Sequence, residues 1–284
     1  MKETTKPPTP EYTEINGQKT AYFRYNTKAK GMPILYIHGY NGTGLGISYI
    51  APYLKEHPIY APDWPGAGLS DKPQDPGYYY PSKYTDFFIK FMQKMGIEKA
   101  IIIGHSLGGR LASHLAYRAP DKTPLLILID PYGFAVQDDN FAFQLSKFGP
   151  LVDLAFSFNN YDIAKNSIEN SAFTSKEAVP PDYRDYILSA LFQHNANDSL
   201  KLVTKYLIHR DYLDNILPGI KQPVLLLWGR EDKVMKIIHA HEFTSRLGIV
   251  YFYSIEGQNH MPHIEQPQKI AEYIKNFLKI KKHN

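Results

Sequence analysis

The run Ile101-Ile102-Ile103-Gly104-His105-Ser106-Leu107-Gly108-Gly109 constrains this chain more than any other stretch. An apolar β-branched run meets Gly-x-Ser-x-Gly, and an Ala/Leu-rich segment with helical spacing follows from Arg110 to Ala119. Unbroken β-branched runs favour strands buried on both faces. The chain must then turn sharply into a helix. Ser106 sits at the apex, its hydroxyl projecting beyond the sheet edge with the helix N-terminus behind it. Gly104 and Gly108 leave room where side chains would collide.

The same rhythm recurs along the chain. Tyr12 to Ile15 and Lys19 to Tyr25 flank Asn16-Gly17, the signature of a hairpin. Buried strands are expected at Pro33–Ile37, Pro58–Ala61 and Ala100–Ile103, and further strands at Leu125–Ile129, Pro223–Trp228 and Ile249–Ser254. Strands alternating with helical segments predict an α/β fold with a mostly parallel sheet flanked by helices. The chemistry-bearing loops all follow strand C-termini, where open α/β sheets place their ligands. The interval 134–213 breaks the rhythm. It carries no convincing strand and is crowded with aromatics, several at helical spacing, most clearly over Asp153–Phe158 and Tyr183–Phe192. It reads as a helical cap over the sheet edge, inserted between core segments 12–133 and 214–284. Most of its aromatics are expected to pack cap against core, and the rest to line an apolar pocket.

Composition removes several function classes. The chain has no cysteine, so disulfides, thiolate catalysis and Cys-based metal sites are excluded, and a reducing, cytoplasmic setting fits. The net charge of +4 is scattered, without the basic stripe that nucleic acid requires. No apolar run reaches the roughly 20 residues of a membrane span. Residues 1–11 begin Lys/Thr/Pro-rich and without an apolar core, so they read as a disordered tail rather than a secretory signal. Oligomeric state leaves no mark in the sequence.

A serine hydroxyl is a weak nucleophile at neutral pH and needs a base. Histidine is the natural base, and a carboxylate should orient it. Asp232 and His260 each follow an expected strand, in the order serine, acid, histidine. Among eleven histidines, His263 is the nearest competitor, while His38 and His105 fit structural hydrogen bonds beside turns. Asp130 also ends a strand and rivals Asp232. Acyl transfer further needs donors for an oxyanion. The Leu107 N–H is one, and the loop His38–Gly44 supplies the second through Tyr40, with Asn41 as runner-up. That loop lacks the Gly-Lys-Ser/Thr ending of a phosphate-binding loop.

These segments resemble the α/β-hydrolase superfamily, in its capped serine-hydrolase branch. The matching stretches are Ile37-His38-Gly39, Asp63 to Asp71, Gly104 to Gly109, Trp228 to Asp232 and Asn259 to Pro267. The resemblance implies a catalytic triad of Ser106, Asp232 and His260, a small-molecule substrate, no metal and no organic cofactor. Epoxide hydrolases and haloalkane dehalogenases of this family carry aspartate where Ser106 stands, so those activities are not expected. Carbon–carbon bond hydrolases share the serine but place tryptophan after the histidine, where this chain has Met261. Asn259 stands where the common esterase pattern has glycine. The default expectation is a carboxylic-ester hydrolase acting on a small lipophilic substrate. A C–C bond hydrolase and a slow-turnover ligand receptor are the alternatives.

Overall fold

Asn16 and Gly17 both have positive φ, 55° and 75°. This is the two-residue hairpin geometry whose twist matches its flanking strands. The loop joins β1 (Glu11–Ile15) to β2 (Gln18–Tyr25). A computed structural model describes residues 9–137, 147, 165, 169 and 172–280. The remaining strands are β3 (Ile34–Ile37), β4 (Ile59–Pro62), β5 (Ile101–His105), β6 (Leu125–Ile129), β7 (Val224–Gly229) and β8 (Val250–Ile255). They form one sheet in the order β1-β2-β4-β3-β5-β6-β7-β8. The pairs β1–β2 and β2–β4 are antiparallel, and the rest are parallel.

The helices are α1 (Pro81–Lys94), α2 (Leu107–Arg118), α3 (Pro181–Leu191), α4 (Ala196–Val203), α5 (Ala240–Thr244), α6 (Pro262–Glu265) and α7 (Pro267–Ile280). Side chains alternate across the central strands. Leu35, Ile102, Leu126 and Leu226 pack with Phe88 of α1 and Leu111 and Leu115 of α2. Ile34, Ile103, Ile127 and Leu225 share the other core with Ile274 and Phe277 of α7. Each such side chain contributes roughly 1.5–3 kcal/mol when fully buried, so neither face of the sheet can be left open.

Two glycines set how closely α2 approaches the sheet. A Cβ at Gly108 would lie 2.1 Å from Ile37 O, and one at Gly104 would lie 2.5 Å from Gly108 O. The first turn of α2 therefore rests on backbone, and only glycine fits at either position.

Between β6 and β7 the strand–helix rhythm lapses. The described part of this insertion holds α3, α4 and a π-helical turn at Thr204–Ile208. The helix expected over Asp153–Phe158 lies outside the described residues. So do residues 1–8 of the expected tail, and β1 begins where that tail was expected to end. Among the described residues, no helix is long and apolar enough to cross a membrane.

Candidate active site

Ser106 lies between β5 and α2 with φ 53° and ψ −124°. For a residue with a side chain this costs of order 1–3 kcal/mol and persists only where the surroundings enforce it. They do so through the backbone. Ser106 N–H donates to Ile129 O at 3.0 Å, while Gly109 N–H and Tyr132 N–H donate to Ser106 O at 2.8 and 3.0 Å. Leu107 opens α2, so its N–H has no acceptor within the helix and adds to the positive end of the helix dipole. The loop after β3 lies against the serine: a Cβ at Gly39 would be 2.9 Å from Ser106 Cβ.

The structure brings Asp232 and His260 together. His260 Nδ1 donates to Asp232 Oδ2 at 2.7 Å. Asp232 Oδ1 accepts Val234 N–H at 2.7 Å and Met235 N–H at 2.8 Å. Three donors thus converge on one buried carboxylate, which fixes the histidine tautomer with its proton on Nδ1 and leaves Nε2 as the basic atom. Ser106, Asp232 and His260 are all buried.

Asp130 and His263 occupy other roles. Asp130 Oδ1 accepts Gly229 N–H at 2.6 Å, and its Oδ2 has no hydrogen-bond donor. His263 Nε2 meets the Tyr36 hydroxyl at 3.1 Å, and its ring packs 4.5 Å from that of His105. His105 Nε2 donates to His260 O at 2.8 Å, and His38 Nδ1 donates to Gly39 O at 2.9 Å. Among the described residues, donor atoms of His105, Asp130 and His260 lie within 4.8 Å of one another, the spacing of a loose metal cluster. All three side chains hold one of the bonds given above.

The loop carrying Tyr40 is held from below by Asp63, at the end of β4. Asp63 Oδ1 accepts the Thr43 hydroxyl and Gly44 N–H, each at 2.7 Å. Its Oδ2 accepts Leu69 N–H at 2.9 Å and the Tyr186 hydroxyl of α3 at 3.2 Å. The Tyr40 hydroxyl bonds Thr204 Oγ1 at 2.9 Å, at the start of the π-turn. The buried Arg110 of α2 grips the other end of that turn, donating to Ile208 O at 2.7 Å and to Leu207 O. No local pattern in the sequence marks a role for Asp63 or Arg110. Asp63 opens the Asp63 to Asp71 stretch, but its partners are scattered over residues 43–186.

A family model of the alpha/beta hydrolase fold matches residues 32–267. The chain belongs to that family. Lipase 1 of Psychrobacter immobilis is 25% identical over 274 residues, 94% of this chain and 83% of the lipase. The dihydrolipoyllysine-residue acetyltransferase component of an acetoin cleaving system from Cupriavidus necator is 31% identical over 280 residues, 94% of this chain and 68% of that protein. Among solved structures, the meta-cleavage product hydrolase of Pseudomonas fluorescens matches with a TM-score of 0.76 at 20% identity, covering 96% of this chain and 98% of that one. That last likeness is one of fold.

In this α/β-hydrolase the buried titratable groups around the site pull stability in opposite directions. Burial lowers His38 to about 4 and His263 to about 3, the latter helped by His260, and puts His105 well below the usual range. Burial first, and the charge of Asp232 second, push Asp130 well above the usual carboxylate range. Below pH of about 6.5 the unfolded chain binds protons that the three folded histidines refuse, so acidification destabilises the protein. Above pH of about 3.9 the unfolded chain releases a proton that folded Asp130 keeps, so rising pH destabilises it through this one group. Burial also lowers His114 and raises Glu265, so the expected wild-type Tm climbs from pH of about 4 to about 6.5, four histidines outweighing two carboxyls. Asp130→Asn removes only the opposing slope that Asp130 itself contributes, worth up to about 1.4 kcal/mol per pH unit. The Tm of the variant minus that of wild type should widen as pH rises above about 4. A constant difference above that pH overturns the protonated state of Asp130.

Proposed function

We propose that the protein is a serine hydrolase that cleaves a carboxylic ester of a small lipophilic substrate through an acyl-enzyme. The observation that carries this reading is the 2.7 Å contact of His260 Nδ1 with Asp232 Oδ2, with the His260 ring 4.8 Å from that of His105, the residue before the serine held at φ 53°. His260 Nε2 takes the Ser106 proton as Oγ attacks the ester carbonyl carbon. Negative charge gathers on the carbonyl oxygen, where the N–H groups of Leu107 and Tyr40 meet it. The tetrahedral intermediate collapses, the C–O bond to the alcohol breaks, and His260 returns its proton to the leaving oxygen. Water then enters and attacks the acyl carbon as it loses a proton to the same nitrogen; the bond from that carbon to Oγ breaks, His260 returns the proton to Ser106 Oγ, and the acid leaves.

Residues 134–213 act as the cap in this reading. Ile187, Leu191 and Leu200 of the insertion, with Asn41, Trp64 and Lys72, line a small cavity of about 20 Å³ beside the Tyr40 loop. The names of the lipase and meta-cleavage relatives agree with a hydrolase acting on lipophilic molecules. No metal or organic cofactor enters the chemistry.

A fluorophosphonate probe reports the reading directly. It is expected to attach one phosphonyl group to Ser106, located by peptide mass spectrometry, and p-nitrophenyl esters should be turned over. Attachment at another residue overturns the nucleophile. Turnover of a vinylogous diketone with no ester hydrolysis assigns the C–C alternative. Absence of both label and turnover, with a small ligand raising Tm, assigns a receptor.

A further inference from the structure

The residues that lead from the insertion towards α3 are stitched to the loop that carries His260. His260 N–H donates to Ala172 O at 3.0 Å, and Asn259 Nδ2 donates to Phe173 O at 2.7 Å. Thr174 N–H donates to Glu265 Oε1 at 3.1 Å, and the Thr174 hydroxyl reaches the same carboxylate. Phe173 is buried and meets Tyr183 of α3 edge-on, with ring centroids 6.1 Å apart. Residues 172–174 thus form a strap whose one side is α3 and whose other side is the histidine loop.

Asn259 also reaches the opposite way. Its Oδ1 accepts Lys233 N–H at 2.9 Å, from the residue that follows Asp232. The two loops are joined again one residue further out. Glu231 N–H donates to Gln258 O, and Gln258 N–H donates to Glu231 Oε2, each at 3.0 Å. Asn259 is 2% exposed, so water does not replace these bonds. Its partners settle the orientation of the amide, since one is a backbone N–H and the other a backbone C=O. Glycine offers neither bond. Aspartate offers an acceptor to Lys233 but sets a second oxygen against Phe173 O.

We propose that Asn259 is a positioning residue: its amide locks the His260 loop at once to the Asp232 loop and to the strap Ala172–Thr174, so that the seating of the insertion sets the placement of the base. This rests on the reading of His260 as base. His260 follows Asn259 directly and its own N–H is bound to the same strap, so a shift of the strap is passed to the imidazole without a flexible link between. The glycine of the common esterase pattern could not transmit it.

Asn259→Gly and Asn259→Asp, compared with wild type, test the proposal. The low-field proton resonance of His260 Nδ1–H reads the His260–Asp232 contact without any turnover. Both variants are expected to broaden or lose it while circular dichroism stays native. A displacement near 1 Å costs about 10²-fold, so kcat should fall by about that factor with KM within about threefold of wild type. The pH profile of kcat/KM should move with it, and Asn259→Asp should not rescue. Wild-type kcat, profile and resonance in both variants overturn the proposal. Should wild type neither label nor turn over esters, the hydrolase reading fails. The resonance alone then decides the positioning role, and its persistence in both variants overturns that too. Asn259→Gly carries the test if Asn259→Asp does not fold.

Discussion

Ser106→Ala, His260→Ala and the double variant are each expected to lose about 10⁶ in kcat against the best ester substrate, with the double variant no worse than either single one. The arithmetic is that of a unit. A factor of that size is about 8 kcal/mol of transition-state stabilisation. Without His260 the Ser106 proton has no acceptor, and without Ser106 the imidazole has nothing to activate but water. In the proposed mechanism what survives is the stabilisation given by the Leu107 and Tyr40 N–H groups and by binding. His263→Gln is the discriminating control. His263 faces Tyr36 and His105 rather than Asp232, so its turnover is expected within about tenfold of wild type, whatever its cost in stability. A His260→Ala enzyme that keeps more than about one part in 10² of wild-type kcat removes His260 as the base. Additive losses in the double variant would mean that the two side chains act in separate steps.

What could be read from the sequence was local. The Asn16-Gly17 hairpin, the Ile101 to Gly109 turn and the strand ends at Gly39, Asp130 and Asp232 are each set by a few neighbouring residues, and each appears where expected. The spacing Ile270, Ala271, Ile274, Phe277, Leu278 behind Pro267 carries an equally plain helical signal for α7, and that signal was overlooked. Long-range features were hidden for a physical reason. The pairing of β2 with β4 puts Tyr22 opposite Pro62, and no local pattern encodes it. Asp63 matters because donors from residues 43, 44, 69 and 186 converge on it. Asn259 stood out as a departure from glycine, yet its meaning lies in Phe173 and Lys233, both distant in sequence. Asp130 rivals Asp232 as a strand-end aspartate, and chain order with the family resemblance favours Asp232. In space the two separate plainly, since His260 and two backbone N–H groups serve Asp232 while Gly229 N–H serves Asp130.

That separation fixes the second large effect. Asp232→Asn is expected to lose about 10⁴ in kcat, whereas Asp130→Asn should lose less than about tenfold. In Asp232→Asn the Oδ1 position still accepts Val234 and Met235 N–H, so the loop keeps its shape. The amide nitrogen then faces His260 Nδ1 and donates where the carboxylate accepted. His260 must answer with a bare Nδ1, which moves its proton to Nε2, the atom that should take the proton of Ser106. The negative charge that would stabilise the imidazolium is lost at the same time. In Asp130→Asn the side-chain oxygen keeps Gly229 N–H, and a neutral amide replaces a carboxyl whose titration burial and the Asp232 charge push well above the usual range, so the field at His260 should change less than in Asp232→Asn. The order of the two losses is the measurement. A loss of about 10³ or more for Asp130→Asn beside a mild one for Asp232→Asn would transfer the orienting role to Asp130. It would also mean that the 2.7 Å contact between His260 and Asp232 serves the loop rather than the chemistry.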